Sequence, residues 1–166
     1  MKVFLNPGHD RHFDPGACGH GLQEAKVVWE ISQLVEKYLK AAGVQVVGNV
    51  QDDNLAYVCS CANYSKADLF ISIHCDSTTN EEANGTTTFV WELGNKASKF
   101  AECVQKQICE ALNTLDRGVR VHPKHLYVLA ETSMPAALIE LAFISNADDA
   151  ELLRTKQDEF ARAIAR

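Results

Sequence analysis

Four residues that can support metal chemistry stand out by type and position: His9, Glu24, His74 and Glu140. The two histidines and Glu140 lie at the ends of short apolar runs typical of strands, and Glu24 begins a long amphipathic stretch typical of a helix. At the carboxyl ends of strands in an open α/β sheet, such groups converge on one crevice. Two imidazoles and a carboxylate form a zinc set with a fourth position open to water, and another carboxylate can act as general base. The pattern predicts a zinc hydrolase.

The elements that must position these residues alternate between strand and helix. Strand-like runs lie at about 2–5, 44–47, 69–74, 86–92, 126–129 and 136–141. Apolar residues at helical spacing predict helices over about 23–42, 54–65 and 95–113, and a last helix from Asn146 through Ile164. Asp53 is the expected cap of the second helix and Gly43 the expected stop of the first. We therefore predict a single α/β domain over residues 1–166, with a mostly parallel twisted sheet of about six strands and helices on both faces.

Composition and charge exclude several classes of function. The chain has 166 residues, with 16 Lys and Arg against 22 Asp and Glu, a formal net charge of −6 and no basic run. We therefore expect no nucleic-acid partner. No apolar stretch approaches the roughly 18 residues needed to span a bilayer, so no membrane insertion is expected. Because the predicted first strand begins at once, with no room for a signal peptide, we expect that a signal was removed or that the protein leaves its cell by another route.

Six cysteines, at positions 18, 59, 61, 75, 103 and 109, show no CxxC spacing. A domain of this size does not need disulfides, so free thiols are expected. A cysteine peptidase that uses Cys75 or Cys18 with a histidine remains an alternative. However, successive residues of a strand point to opposite faces, which would turn Cys75 away from a metal bound by His74. Inhibition by thiol alkylation rather than by a chelator would distinguish this alternative.

The remaining histidines and Asp76 are expected to lie outside the metal site itself. His12 and His20 are expected to be solvated residues of the loop between His9 and Glu24. His122 and His125 precede the predicted strand 126–129 and are candidates for the rim of the cleft. Asp76 is expected to orient a ligand or to contact substrate rather than to bind the metal.

Several segments, in order along almost the whole chain, resemble one family. They are Pro7-Gly8-His9, Asp14-Pro15-Gly16-Ala17, Glu24, Ala67-Asp68-Leu69-Phe70-Ile71-Ser72-Ile73-His74, Tyr127-Val128-Leu129, Met134-Pro135-Ala136, Leu138-Ile139-Glu140 and Phe143-Ile144-Ser145-Asn146. With these motifs the chain resembles the zinc-dependent N-acetylmuramoyl-L-alanine amidases of the Amidase_3 family.

The resemblance implies specific roles. His9, Glu24 and His74 match the ligands of one Zn²⁺ per chain, and Glu140 matches the catalytic carboxylate. Residues 1–166 would then be an amidase catalytic domain that hydrolyses the bond between N-acetylmuramic acid and L-alanine in peptidoglycan. A catalytically inactive peptidoglycan-binding module of the same fold, or another zinc peptidase or amidase acting on cell-wall peptides, remains an alternative.

The resemblance also bears on context. The protein would act at the bacterial cell wall, as a secreted autolysin with its signal removed or as a phage or prophage endolysin made in the cytoplasm. We expect a monomer, with a separate wall-binding domain in the full-length protein, because an acidic domain gains no attraction to an anionic wall. Some family members carry an inhibitory helix in a long insertion after the strand that follows the second histidine. Here Leu93-Gly94-Asn95-Lys96 leads almost directly into a helix, so an open cleft is expected.

Overall fold

In the computed structural model, which describes residues 1–166, a six-stranded sheet is flanked by six helices. The elements are β1 (Lys2–Pro7), β2 (Cys18–Gly19), β3 (Leu22–Gln23), α1 (Glu24–Ala41), β4 (Gln45–Asn49), α2 (Leu55–Ser65), β5 (Leu69–Asp76), β6 (Thr86–Val90), α3 (Lys96–Leu112), β7 (Asp116–Val121), α4 (Tyr127–Glu131), β8 (Ala136–Phe143), α5 (Ala147–Thr155) and α6 (Gln157–Ala165). The strand order is β4-β1-β5-β8-β6-β7, and β2 and β3 form a separate short hairpin.

The direction of the strands determines which ends meet. The pairs β1–β4, β1–β5, β5–β8 and β6–β7 are parallel, and only β6–β8 is antiparallel. The carboxyl ends of β1, β5 and β8 therefore share one edge with the amino ends of β6 and β7. The predicted α/β class with a mostly parallel sheet of about six strands is confirmed.

Buried apolar side chains cover both faces of the sheet. On one face, α1, α3, α5 and α6 enclose the larger core; Val28, Ile31 and Val35 of α1 lie in it, fully buried at the helical spacing that predicted α1. On the other face, α2 and α4 enclose a smaller core. The central strands β5 and β8 are buried on both faces, which explains their near-continuous apolar sequences.

Asparagine side chains cap three of the helices. Asn54, Asn95 and Asn146 each accept the backbone N–H three residues further on, at the start of α2, α3 and α5. The expectation of Asp53 as the cap of α2 is wrong, because Asn54 makes that bond. Gly43 follows the end of α1 with φ of +79°, as expected of a stop residue. None of the helices combines the length and the apolar character that crossing a bilayer requires.

The sequence-based assignment of a strand at 126–129 is wrong. Tyr127–Glu131 forms α4, and Val128 and Leu129 pack into the smaller core. A short apolar run fits a buried helix turn as well as a strand, so periodicity could not separate the two. The sixth strand is instead β7, at the sheet edge. The predicted last helix is also divided, since α5 ends at Thr155 and α6 begins at Gln157.

Candidate metal centre

Three of the four residues singled out by the sequence meet at the shared edge of the sheet. His9 follows β1, Glu24 is the first residue of α1, and His74 lies near the end of β5. Their candidate ligand atoms all lie within 4.8 Å of one another. The Glu24 carboxylate lies between the two imidazoles, with Oε2 3.0 Å from His9 Nε2 and Oε1 3.0 Å from His74 Nδ1.

Two glycines, Gly8 and Gly16, make room for these side chains because they have no Cβ. A Cβ on Gly8 would lie 2.1 Å from His74 Cε1. A Cβ on Gly16 would lie 2.6 Å from His9 Cδ2 and 2.7 Å from a Glu24 oxygen, and the φ of Gly16 is +67°. The Pro-Gly-His and Asp-Pro-Gly-Ala segments therefore have a steric reason for glycine at these positions.

Hydrogen bonds fix the orientation of the three side chains. His9 Nδ1 bonds the carboxylate of Asp14 at 2.7 Å, which leaves Nε2 directed at Glu24. Glu24 accepts the backbone N–H of Ala17 on Oε2 and that of Cys75 on Oε1, both at 2.9 Å. A carboxylate that holds a histidine ligand in one tautomer is a common feature of metal sites.

A second support comes from Gln51, in the connection between β4 and α2. Its Nε2 donates to the carbonyl oxygens of Gly8, at 2.9 Å, and Ala25, at 2.7 Å. These residues neighbour His9 and Glu24, so one amide group ties the two backbone segments together. Sequence analysis placed Asp14 in a motif without giving it a role and did not identify Gln51, which lies in a loop without periodicity.

The charges within the cluster shift its protonation equilibria. Burial alone would lower the pKa of His9, but Glu24 and Asp14 outweigh burial and raise that pKa to about 9. Burial alone would raise the pKa of Glu24, but the hydrogen bonds and charges of His74 and His9 hold it well below its ordinary value. In the absence of a metal, the cluster is thus an ion pair that holds a proton on His9.

Glu140 lies beside this cluster, as the fourth predicted residue. It is the register partner of His74 on the adjacent strand. Its Oε2 is shielded from solvent and has no hydrogen-bond partner. Burial raises the pKa of Glu140 well above its ordinary value, and the carboxylates of Asp76 and Glu24 raise it further. A carboxyl group in this environment can accept and hold a proton at near-neutral pH.

The other candidate residues take different positions. Cys75 points into the larger core, as the alternation along β5 predicts, and burial raises its pKa well above that of an ordinary thiol. All six cysteines are free thiols. Asp76 lies at the same sheet edge as Glu140, where its Oδ1 accepts the Ser77 N–H and burial raises its pKa.

The histidines outside the cluster divide into two groups. His12 and His20 are exposed, as expected, and His20 Nε2 lies 3.2 Å from the Ser145 carbonyl oxygen. His122 packs edge-on against Phe89, and His125 packs against Trp91. They belong to the connection between β7 and α4. That connection continues into a cavity of about 120 Å³ that His9 and His74 also line.

The donor set fits one particular kind of metal site. Two imidazole nitrogens and a carboxylate oxygen, on three separate segments, are the ligands of a catalytic zinc site with one position left open. A metal-bound imidazole must be neutral, and the Asp14 carboxylate here holds His9 by Nδ1, the nitrogen that does not face Glu24. The cluster could therefore hold a zinc ion, and Glu140 lies on the strand adjacent to the one that carries His74.

Comparison with known proteins finds relatives that match nearly the whole chain. LytC of Bacillus subtilis (strain 168), an N-acetylmuramoyl-L-alanine amidase, is 35% identical over 170 residues and matches 98% of this chain. The endolysin of Bacillus phage SPP1 is 32% identical over 172 residues and also matches 98% of this chain. The chain spans only 34% of LytC and 61% of the endolysin.

Solved structures share the fold closely. AmiC2 of Nostoc punctiforme, an N-acetylmuramoyl-L-alanine amidase, superposes with a TM-score of 0.91 at 30% identity, covering 100% of this chain and 93% of its own. The catalytic domain of CwlV from Bacillus (Paenibacillus) polymyxa var. colistinus gives 0.87 at 32% identity, with coverages of 99% and 93%. Residues 3–166 match the Amidase_3 model, described as N-acetylmuramoyl-L-alanine amidase, and the chain belongs to that family.

Proposed function

We propose that this chain is the catalytic domain of a zinc-dependent N-acetylmuramoyl-L-alanine amidase, which hydrolyses the amide bond between N-acetylmuramic acid and L-alanine in peptidoglycan. The observation that carries the proposal is the convergence of the His9, Glu24 and His74 ligand atoms within 4.8 Å, beside Glu140, whose Oε2 is shielded from solvent. Membership of the amidase family supports the choice of substrate.

The geometry of the cluster supports a role for each residue. His9, Glu24 and His74 hold one zinc ion, and Asp14 orients His9. When bound, zinc supplies Lewis-acid activation of water and of a carbonyl oxygen. Because zinc binds neutral imidazole, His9 would lose its proton when the metal binds.

Glu140 moves the proton that the reaction requires. The attacking water loses a proton to the Glu140 carboxylate as its oxygen adds to the carbonyl carbon. The same carboxyl group then donates that proton to the nitrogen as the C–N bond breaks. The products are a free carboxyl on the muramic acid side and a free amino group on L-alanine, so the atoms of one water molecule are divided between them.

The setting of the whole protein is also a proposal. The chain corresponds to about a third of LytC, so a separate wall-binding domain fits the difference in length. The acidic charge of −6 gives this domain no attraction of its own to an anionic wall. We propose action at the bacterial cell wall, as an autolysin or a phage lysin.

The test is a count of new amino termini. Purified peptidoglycan is incubated with the protein, with the chelator-treated protein and with the treated protein after zinc is restored. The proposal expects new L-alanine amino termini in the first and third samples and none in the second.

Each alternative gives a different result. An inactive wall-binding module would sediment with peptidoglycan and release no amino termini. A zinc peptidase would release amino termini of other residues. A cysteine peptidase would keep its activity in chelator and lose it on thiol alkylation. Any of these three results would overturn the proposal.

A further inference from the structure

The edge strand β7 begins at the same sheet edge as the candidate metal centre and places Arg117 there. We propose that Arg117, supported by Arg120, forms an anion site that binds a free carboxylate in the peptide part of the substrate. This inference rests on the proposed function, since it assigns a specificity determinant to the same cleft.

The topology brings Arg117 to the cleft. Because β6 and β7 run opposite to β8, the beginning of β7 lies at the sheet edge where β8 ends. The Arg117 guanidinium carbon lies 4.9 Å from the centre of the Phe143 ring, and Phe143 is the register partner of Asp76 on β5. The Arg117 side chain thus packs against the last residue of β8, the strand that carries Glu140.

A β-bulge gives Arg117 its direction. Thr86 pairs with Asp116 and Thr88 pairs with Val119, so β7 has one more residue than β6 between these two pairs. Gly118 takes φ of +83° there, and its N–H bonds the Asp116 carboxylate at 2.8 Å. Bulges of this kind often re-aim a side chain next to a functional site.

The Arg117 side chain has hydrogen-bonding capacity that the protein does not use. One terminal nitrogen donates to the Asn84 carbonyl oxygen at 3.2 Å. Its Nε has no acceptor but is shielded from solvent, so a ligand would reach the terminal nitrogens instead. No carboxylate lies within ion-pair distance of this guanidinium, and Asp76 interacts with its charge only at longer range. A guanidinium has five donors in a planar fork, a geometry that matches a carboxylate.

The charge distribution favours an anionic ligand at this position. Glu24, Asp76 and Glu140 are acidic groups at this sheet edge and offer no partner to an anionic ligand. Arg117 lies at the border of that acidic group, and Arg120 fixes its backbone by donating from Nε to the Arg117 carbonyl oxygen at 2.7 Å. A peptide carboxylate bound by Arg117 would therefore meet positive charge at the border of the acidic group.

The experiment compares substrates and variants together. Synthetic muramyl peptides are prepared with all carboxylates free and with each carboxylate amidated in turn. Activity is measured for the wild type, Arg117→Met, Arg117→Lys and the control Arg162→Met, which makes the same change on the exposed surface of α6. Binding of the same peptides is measured by calorimetry, and melting temperatures show that each variant is folded.

The proposal expects one amidation to lower kcat/KM and affinity of the wild type by about 10- to 100-fold, the usual effect of losing a charge-assisted hydrogen bond. Arg117→Met should show the same loss on the free carboxylate and no further loss on amidation, with Arg117→Lys intermediate and Arg162→Met unchanged. Equal losses on every substrate, or a wild type that does not distinguish them, would overturn the inference. Arg117-dependent binding without any cleavage would instead overturn the proposed function.

Discussion

His74 on β5 and Glu140 on β8 are register partners on adjacent parallel strands. Neighbouring strands lie about 4.8 Å apart, so a proposed metal ligand and the proposed proton carrier project from the same edge, one strand spacing from each other. Glu24 reaches His74 from the start of α1, and His9 reaches Glu24 from the end of β1. The site is therefore held by regular elements rather than by long loops, apart from the short turn that contains His9.

The first prediction concerns Glu140→Gln. This change preserves shape and removes the base, so the variant should fold and keep its metal while turnover falls by about 100-fold or more. Zinc content and the rate of L-alanine amino-terminus release check the two parts. Glu110→Gln, on the exposed face of α3, is the matched control and should change neither. Turnover close to that of the wild type would refute the role of Glu140.

The second prediction compares alanine substitutions at two glycines, Gly8 and Gly48. At both positions an added Cβ would overlap a neighbouring ring, but only the ring beside Gly8 belongs to the metal site. Gly8→Ala puts a methyl group into the His74 ring, so metal affinity and activity should both fall strongly. Gly48→Ala puts a methyl group 2.3 Å from a ring carbon of Phe4, in the smaller core, and should lower the melting temperature without changing metal affinity. The measurements are metal titration and thermal unfolding. Equal metal affinity in both variants would contradict the site.

The third prediction follows from the pKa of His9, which is raised from 6.5 to about 9 in the metal-free protein. Its contribution to stability is present below pH 6.5 and is lost as the pH rises through about 9. Glu24 stays ionised throughout this range and adds no pH dependence there. Because a metal binds only the neutral imidazole, apparent zinc affinity should rise about tenfold per pH unit up to about 9.

Two measurements check the pH prediction. Thermal unfolding of the metal-free protein should show a falling melting temperature between pH 6.5 and 9. Calorimetry in buffers of different ionisation enthalpy should show about one proton released per zinc ion at pH 7. An affinity that does not change with pH would show that His9 is neutral before the metal binds.

The fourth prediction concerns Asp14→Asn, which removes the charge that holds His9 Nδ1 at 2.7 Å. Loss of such a partner commonly costs 10- to 100-fold in metal affinity, and we expect a change of about that size. The pKa of His9 should also fall, because one of the carboxylates that raise it is gone. Asp10→Asn is the control, since the Asp10 side chain accepts only backbone N–H groups of the neighbouring turn and does not contact His9. An unchanged metal affinity in Asp14→Asn would show that Asp14 does not support the metal site.

Secondary structure could be predicted best for elements whose buried face fixes the spacing of apolar residues. α1 and β5 were predicted within a few residues because Val28, Ile31 and Val35 recur at helical spacing and the run before His74 is continuously apolar. β7 was missed for the opposite reason. It is an edge strand whose residues are charged or partly exposed and which contains the bulge at Gly118, so neither alternation nor apolar content marks it.

The site could be predicted only in part, for a related physical reason. His9, Glu24, His74 and Glu140 each stand at the boundary of an element that the sequence reveals. Arg117 depends on the antiparallel placement of β6, which reverses the direction of β7 and brings its first residues to the cleft. The direction of β6 depends on tertiary packing, and no local sequence pattern predicts it. The contacts of the loop residue Gln51 likewise depend on tertiary structure and have no local sequence pattern.

The last prediction concerns regulation. β6 ends at Val90 and α3 begins at Lys96, and Asn95 in the connection already serves as the cap of α3. A connection of this length is normal for an α/β unit and cannot contain an inhibitory helix. The purified, zinc-loaded chain should therefore cleave peptidoglycan without an activating protein. Its rate is measured alone and after addition of a lysate from cells that make the protein, with zinc content and melting temperature recorded for both samples. A folded, zinc-loaded chain that stays inactive until a partner is added would contradict the open cleft.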